Sequence, residues 1–201
     1  MRRLLIATKN AHKTSEIRAI LGSAWQVEDL TAHPEVPAPD ETGTTFAENA
    51  AIKAVAASSI FPGYVLADDS GLEVDALDGA PGVQSARFSG PQATDAGNRA
   101  LLLKKLAGAE SSARFRCVMA LAHHGNVLGT FGGTVEGRIV AKESGAGGFG
   151  YDSLFVPEGF TQTFGDLSSE IKNELSHRAR ALTQAREFLI KIVDGSDTAR
   201  T

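Results

Sequence analysis

The sequence predicts an α/β protein with a mixed central sheet flanked by helices. Three observations carry that prediction. Arg3 to Thr8 is a short apolar strand followed by Ile17, Ile20 and Leu21 at the i, i+3, i+4 spacing of a helix face. Tyr64 to Ala67 is a second buried-strand pattern, placed behind an alanine-rich helical stretch. Arg114 to Ala122, Val127 to Phe131 and Thr134 to Ala141 are strand-like runs around a His123-His124-Gly125-Asn126 turn. Strand–helix alternation early and a meander in the middle imply parallel pairing first and antiparallel pairing later.

The other elements follow in order. His33 to Asp40 is a proline-punctuated loop. Thr45 and Glu48 fit a capping box, with Thr at the N-cap and Glu three residues on, opening a helix to about Ser59. Asp68-Asp69-Ser70-Gly71 suits either the end of a strand or a turn, and Leu72 to Leu77 a strand or a turn. Gly79 to Gly90 reads as loop. Thr94 to Leu106 is helical, with Leu102, Leu103 and Leu106 on one face. Gly145 to Gly150 is a glycine-rich loop. The last helix runs from about Ser176 to Val193 with Leu182, Leu189 and Val193 inward, and Asp194 to Thr201 is a polar, frayed end.

With 201 residues the chain suits one large domain, 1–201, or two lobes around one cleft, and it can bury a core without staples. The net charge of −4 and the absence of a basic face argue against nucleic acid as a partner. The single cysteine, Cys117, lies in a buried-strand pattern, which excludes an intrachain disulfide and gives no support to a cysteine metal site. No apolar run suits a signal-peptide core or a membrane span, so the expected location is the cytoplasm.

Four segments hold side chains suited to chemistry. Thr8-Lys9-Asn10-Ala11-His12-Lys13 is a strand-to-helix turn, where unpaired N–H groups and the helix dipole favour phosphate. It lacks the glycine–lysine pattern of a P-loop. Glu41, Asp68 and Asp69 are an acidic set. Mg²⁺ prefers one or two carboxylates completed by substrate phosphates, and adjacent residues in a strand point to opposite faces. In Gly147-Gly148-Phe149-Gly150-Tyr151-Asp152, glycines permit close approach, an aromatic ring can stack on a base, and Asp152 can accept from a base N–H. Lys172, His177 and Arg178 bring donors that suit a purine carbonyl or a phosphate, or else form a solvated polar turn around Ser176. Lys53 lies one helical turn after Asn49 and faces either a site or solvent. His123-His124, at a hairpin tip with no third ligand nearby, reads as surface.

Taken in order, six motifs resemble the inosine triphosphate pyrophosphatase family, the dITP/XTP pyrophosphatases. They are Ala7–Lys13, Glu41–Ala50, Ala67–Leu72, Gly79–Arg87, Gly147–Asp152 and Ser176–Arg178, within a resemblance spanning about residues 3 to 192. The resemblance implies two α/β lobes with the active cleft between them, and a homodimer. It implies hydrolysis of dITP, ITP and XTP to monophosphate and pyrophosphate with Mg²⁺. It places Thr8, Lys9, Asn10, Ala11, His12, Lys13 and Lys53 at the triphosphate, Glu41 and Asp69 at the metal, and Asp69 as general base. Ser70 would contact substrate, Phe149 would stack on the base, and Gly150, Tyr151 and Asp152 would shape its pocket. Lys172, His177 and Arg178 would recognise the base. Two positions depart from the family pattern: Ser153 stands where proline is usual, and Lys9 where glycine is common. The competing readings are a pyrophosphatase for other modified nucleotides and a non-catalytic nucleotide-binding module.

Overall fold

The computed structural model describes residues 2–36 and 38–198. Its sheet has six strands: β1 (Arg2–Ile6), β2 (Trp25–Asp29), β3 (Tyr64–Val74), β4 (Ser111–His123), β5 (Asn126–Ile139) and β6 (Phe155–Pro157). The strand order is β2-β1-β3-β4-β5-β6. β1 pairs in parallel with both β2 and β3, and β5 pairs antiparallel with β6, so the sheet is mixed as expected. β4 and β5 are neighbours joined by His124 and Gly125 alone, a connection that only antiparallel strands allow. The helices are α1 (Ala11–Leu21), α2 (Phe46–Ser58), α3 (Asp95–Leu106), α4 (Ser169–Leu175) and α5 (His177–Thr198).

Several local expectations are corrected. Asp68-Asp69-Ser70-Gly71 is no turn: it lies inside β3, whose backbone is buried on both sides of it. The Gly132-Gly133 pair does not divide the meander, and β5 runs through it as one strand. Gly82–Arg87 is a short 3-10 helix, not open loop. β2, β6 and α4 carry too few periodic apolar positions to be read from sequence. Ser176 closes α4, and its N–H donates to Lys172 O. Helix α5 continues through Thr198, so the expected fraying does not start at Asp194; residues 199–201 lie outside the described residues. Cys117 is buried, and His123 stacks on Tyr64 at 4.7 Å. Among the described residues no helix is long and apolar enough to cross a membrane.

The chain forms two compact units. The first comprises Met1–Asp69, Val118–Gly133 and Ala179–Thr201; the second comprises Ser70–Cys117 and Thr134–Arg178. Each has its own apolar cluster. In the first unit Leu5, Ala7, Val65 and Ala67 of the strands pack with Ala50, Ala54 and Ala57 of α2 and with Phe61. The small α2 side chains let its axis approach the sheet closely. In the second unit Leu72, Val74, Phe115 and Ile139 pack with Leu102 and Leu106 of α3 and with Phe155 and Phe164.

The first unit carries a charge network at the end of β2. Arg3 donates to both Glu28 oxygens at 2.9 and 3.0 Å, and His33 bonds Glu28 at 2.6 Å and Glu35 at 3.0 Å. Hydrogen bonds from Arg3 and then His33 hold the Glu28 carboxyl down at about 2, and the same bond from Glu28, followed by Glu35, raises the His33 imidazole above 6.5. A raised histidine contributes stability that is present below 6.5 and lost as pH rises through its folded value; a lowered glutamate contributes stability present above 4.5 and lost as pH falls towards 2. His33→Asn is therefore expected to lower the melting temperature most between pH 4.5 and 6.5, by a few degrees at most. Melting curves of both proteins from pH 4 to about pH 9 check it. A deficit that grows above neutral pH would contradict it.

Candidate active site

In the first unit, the site is built on β3 and the starts of α1 and α2. Thr45 caps α2 with a complete capping box: its side chain accepts from Glu48 N, and the Glu48 carboxylate accepts from Thr45 N. Such a cap stabilises a helix start by about 1 kcal/mol and fixes where the helix begins. One turn on, Asn49 and Lys53 share a face at i, i+4 spacing. Asn49 Oδ1 accepts from Gly43 N at 2.8 Å, and its Nδ2 donates to Asp69 Oδ2 at 3.2 Å. It therefore ties the loop carrying Glu41 to the strand carrying Asp69. A Cβ on Gly43 would sit 2.6 Å from Asn49 Oδ1, so this link requires glycine there.

Lys53 Nζ lies 3.0 Å from Glu41 Oε1 and 3.0 Å from Asp69 Oδ1, so two carboxylates converge on one ammonium. Asp68, the neighbour of Asp69 in the strand, pairs instead with Lys13 of α1 at 3.0 Å. The two adjacent carboxylates thus make their direct ion pairs with different cations, as their opposite directions along a strand allow. Burial disfavours the Lys53 charge, but Asp69, Asp68 and Glu41 together outweigh it and raise its pKa. Burial raises the Asp69 carboxyl, and Lys53 only partly offsets that effect. Glu41, Asp68 and Asp69 thus lie beside the ammonium groups of Lys13 and Lys53.

The Thr8–Lys13 turn uses its side chains internally more than the sequence suggested. Asn10 Oδ1 accepts from His12 N at 3.0 Å and Lys13 N at 3.3 Å, and Thr8 Oγ1 accepts from Asn10 N at 3.1 Å. Asn10 is the N-cap of α1. Lys9 projects from this turn into solvent.

The second unit carries an aromatic ring with cations beside it. Phe149 lies in the glycine-rich loop, with Lys172 Nζ 4.8 Å and Arg178 Cζ 5.7 Å from its ring centroid. Lys172 Nζ donates to Asp152 Oδ2 at 2.7 Å, and both side chains are buried. The same Asp152 oxygen accepts from Phe149 N at 2.7 Å. Gly148 has φ +74°, and a Cβ there would collide with the Asp152 carboxylate. Arg178, 1% exposed, donates from Nη2 to Ser70 Oγ at 3.0 Å. His177 stacks on Phe115 at 4.9 Å with 12° between the rings. The Lys172–Arg178 segment is therefore not a solvated turn: Lys172, His177 and Arg178 are all buried.

Of the expected pocket residues, Tyr151 turns into the apolar cluster, and its hydroxyl donates to Ser85 O at 2.9 Å. Ser85 Oγ also accepts from Leu72 N, which gives the Gly79–Arg87 motif a bracing role. Asp152 is engaged by Lys172 and Phe149 N, so it positions a cation where the sequence suggested direct contact with a base. Sequence reasoning missed Asn49 as a partner of Asp69; its place four residues before Lys53 on an N-capped helix was the available signal.

A mixed α/β sheet with a carboxylate–lysine cluster on one strand, and an aromatic ring flanked by buried cations, has the equipment of a nucleotide-handling enzyme. The model of the Ham1 family matches residues 4–188. The chain is 47% identical over 195 residues to a dITP/XTP pyrophosphatase of an Exiguobacterium species, covering 96% of this chain and 100% of that one. It is 45% identical over 198 residues to a dITP/XTP pyrophosphatase of Listeria monocytogenes serovar 1/2a, covering 96% and 98%. Among solved structures, a HAM1 protein from Coxiella burnetii superposes with a TM-score of 0.85 at 37% identity, covering 95% and 100%. This chain belongs to the Ham1 family.

Proposed function

We infer that the protein hydrolyses non-standard purine nucleoside triphosphates, dITP, ITP and XTP, to the monophosphate and pyrophosphate. The near full-length likeness to dITP/XTP pyrophosphatases carries the reading, and the two side-chain groups supply its chemistry. The triphosphate is assigned to the first unit, to Lys13, Lys53 and the Thr8–Lys13 turn with Lys9, Asn10, Ala11 and His12. The base is assigned to Phe149, Lys172, His177 and Arg178 of the second, with Gly150, Tyr151 and Asp152 supporting them and Ser70 at the substrate.

The donor set of the first unit fits Mg²⁺: Glu41 and Asp69 are hard oxygen donors that already converge on a cation, and phosphate oxygens would complete their number. Bound there, Mg²⁺ would neutralise charge on the phosphates. Asp69 then orients a water and takes its proton as the water oxygen bonds to the α-phosphorus. The bond from that phosphorus to the bridging oxygen breaks, and pyrophosphate leaves. Asn49 holds the Asp69 carboxylate in direction, and Lys13 and Lys53 offset negative charge on the phosphates. Lys172 and Arg178 only donate, so they match the C6 carbonyl of hypoxanthine and xanthine and oppose the C6 amino group of adenine. A homodimer in the cytoplasm, acting on free nucleotides, belongs to the same proposal.

Pyrophosphate release with Mg²⁺ from ITP, dITP and XTP, beside ATP, GTP, CTP and UTP, tests the reading. The kcat/KM for ITP is expected to exceed that for ATP by on the order of 10⁴-fold. Equal release from all would discard the base-reading role of the pocket. Binding without release would discard the catalytic one.

A further inference from the structure

The glycine-rich loop is gripped from two directions. On the pocket side, the Phe149 N–H donates to Asp152. On the other side, Asp95, the first residue of α3, accepts from Gly150 N at 2.7 Å. Arg99, one turn further along α3, donates from Nη1 to Gly150 O at 2.9 Å. Arg99 Nε in turn donates to Glu143 Oε2 at 2.8 Å, and Ser153 Oγ donates to the same oxygen at 3.0 Å. Ser153, standing where proline is usual in the resembling family, thus supplies a hydroxyl that steadies Glu143 and, through it, Arg99.

The geometry gives these contacts a consequence for Phe149. A peptide unit is planar, so the N–H of Gly150 is rigidly coupled to the Cα of Phe149, and the N–H of Phe149 belongs to the plane on the other side of that Cα. Asp95 holds one plane and Asp152 the other. Carboxylates therefore hold the peptide planes on both sides of the Phe149 Cα and so the direction of its Cα–Cβ bond, while Lys172 and Arg178 lie against the ring itself. Gly150 itself, at φ +61°, would otherwise leave this joint loose.

We propose that Asp95 and Arg99 are positioning residues for base recognition: Asp95 holds the Phe149–Gly150 peptide and Arg99 the Gly150–Tyr151 peptide next to it, so that Phe149 is presented to the base in one orientation. The inference rests on Phe149 as the stacking residue. Asp95 is exposed, and its truncation leaves the apolar cluster intact. Asp95→Asn keeps an acceptor for Gly150 N, and both Asp95→Ala and Asp95→Asn remove the charge at the helix start, so their difference isolates the hydrogen bond.

Asp95→Ala is expected to raise KM for ITP about tenfold with kcat within about twofold of wild type, and Asp95→Asn to restore KM to within about twofold. Inhibition by tripolyphosphate, which has no base to stack, is expected to be unchanged in both. Hydrogen exchange at the Gly150 amide is expected to quicken in Asp95→Ala alone. A KM rise shared by tripolyphosphate inhibition, an Asn variant as impaired as the Ala variant, or unchanged exchange would overturn the proposal. Phe149→Ala separates the two layers: if it leaves KM unchanged, stacking itself is refuted; if it raises KM while Asp95→Ala does not, the clamp alone is refuted.

Discussion

Asp69→Asn is expected to lower kcat for ITP by about 10²–10⁴-fold, the range associated with loss of a general base, while the melting temperature stays within a few degrees of wild type. The change is nearly isosteric, and the amide keeps an oxygen for the Asn49 N–H that Asp69 Oδ2 now accepts. The lost charge costs the fold little, because burial already pushes the Asp69 carboxyl up and so disfavours its ionised form. Lys53 keeps Glu41 as a partner. Pyrophosphate release and a melting curve on the same preparation decide the matter. Near-full activity would remove Asp69 from the reaction. A melting temperature lowered by ten degrees or so, at about 2–4 °C per kcal/mol for a chain of this size, would show that its main duty is structural.

The contrast between what could and could not be read from the sequence has a physical origin. The capping box was legible because all its partners lie within four residues, and the parallel-then-antiparallel sheet because periodic apolar runs mark its longer strands. Trp25–Asp29 was not legible as a strand: only its first and last residues are buried, so the period-2 signal is missing. Asp68-Asp69-Ser70-Gly71 has the composition of a turn, yet tertiary pairing with Lys13, Lys53 and Asn49 holds it in a buried strand. Local preference lost there to charge compensation, and that conflict falls on Asp69, the residue assigned to the metal and the attacking water.

The candidate site was legible as a set of residues but not as a set of pairs. Nothing in the sequence joined Lys172 to Asp152, or Asp95 and Arg99 to Gly150, since the partners are 20, 55 and 51 residues apart. The motif reading gave Asp152 and Lys172 parallel roles at the base, whereas their ion pair makes one the support of the other. Tyr151 likewise shares its motif with Phe149, yet its hydroxyl donates to Ser85 O and its ring packs in the apolar cluster. Burial, which periodicity reports only for long elements, decided the assignments of Lys172, Asp152 and Tyr151.

Lys172→Met separates support from recognition. Met preserves much of the aliphatic volume of lysine but leaves the buried Asp152 carboxylate without its ammonium. Breaking one side of a buried pair costs about 3–5 kcal/mol, so the melting temperature is expected to fall by on the order of 10 °C. Adding Asp152→Asn removes the stranded charge while leaving an oxygen to accept from Phe149 N, and the double variant is expected to recover most of the stability. Recognition is expected to behave differently. If Lys172 donates to the C6 carbonyl, kcat/KM for ITP falls by about 10²-fold in single and double variant alike, while the low rate with ATP hardly moves. Denaturation midpoints and the ratio of ITP to ATP turnover, measured on all three proteins, check both halves. A double variant that regained the wild-type ratio would reduce Lys172 to the counter-ion of Asp152 and leave Arg178 as the cation that reads the base.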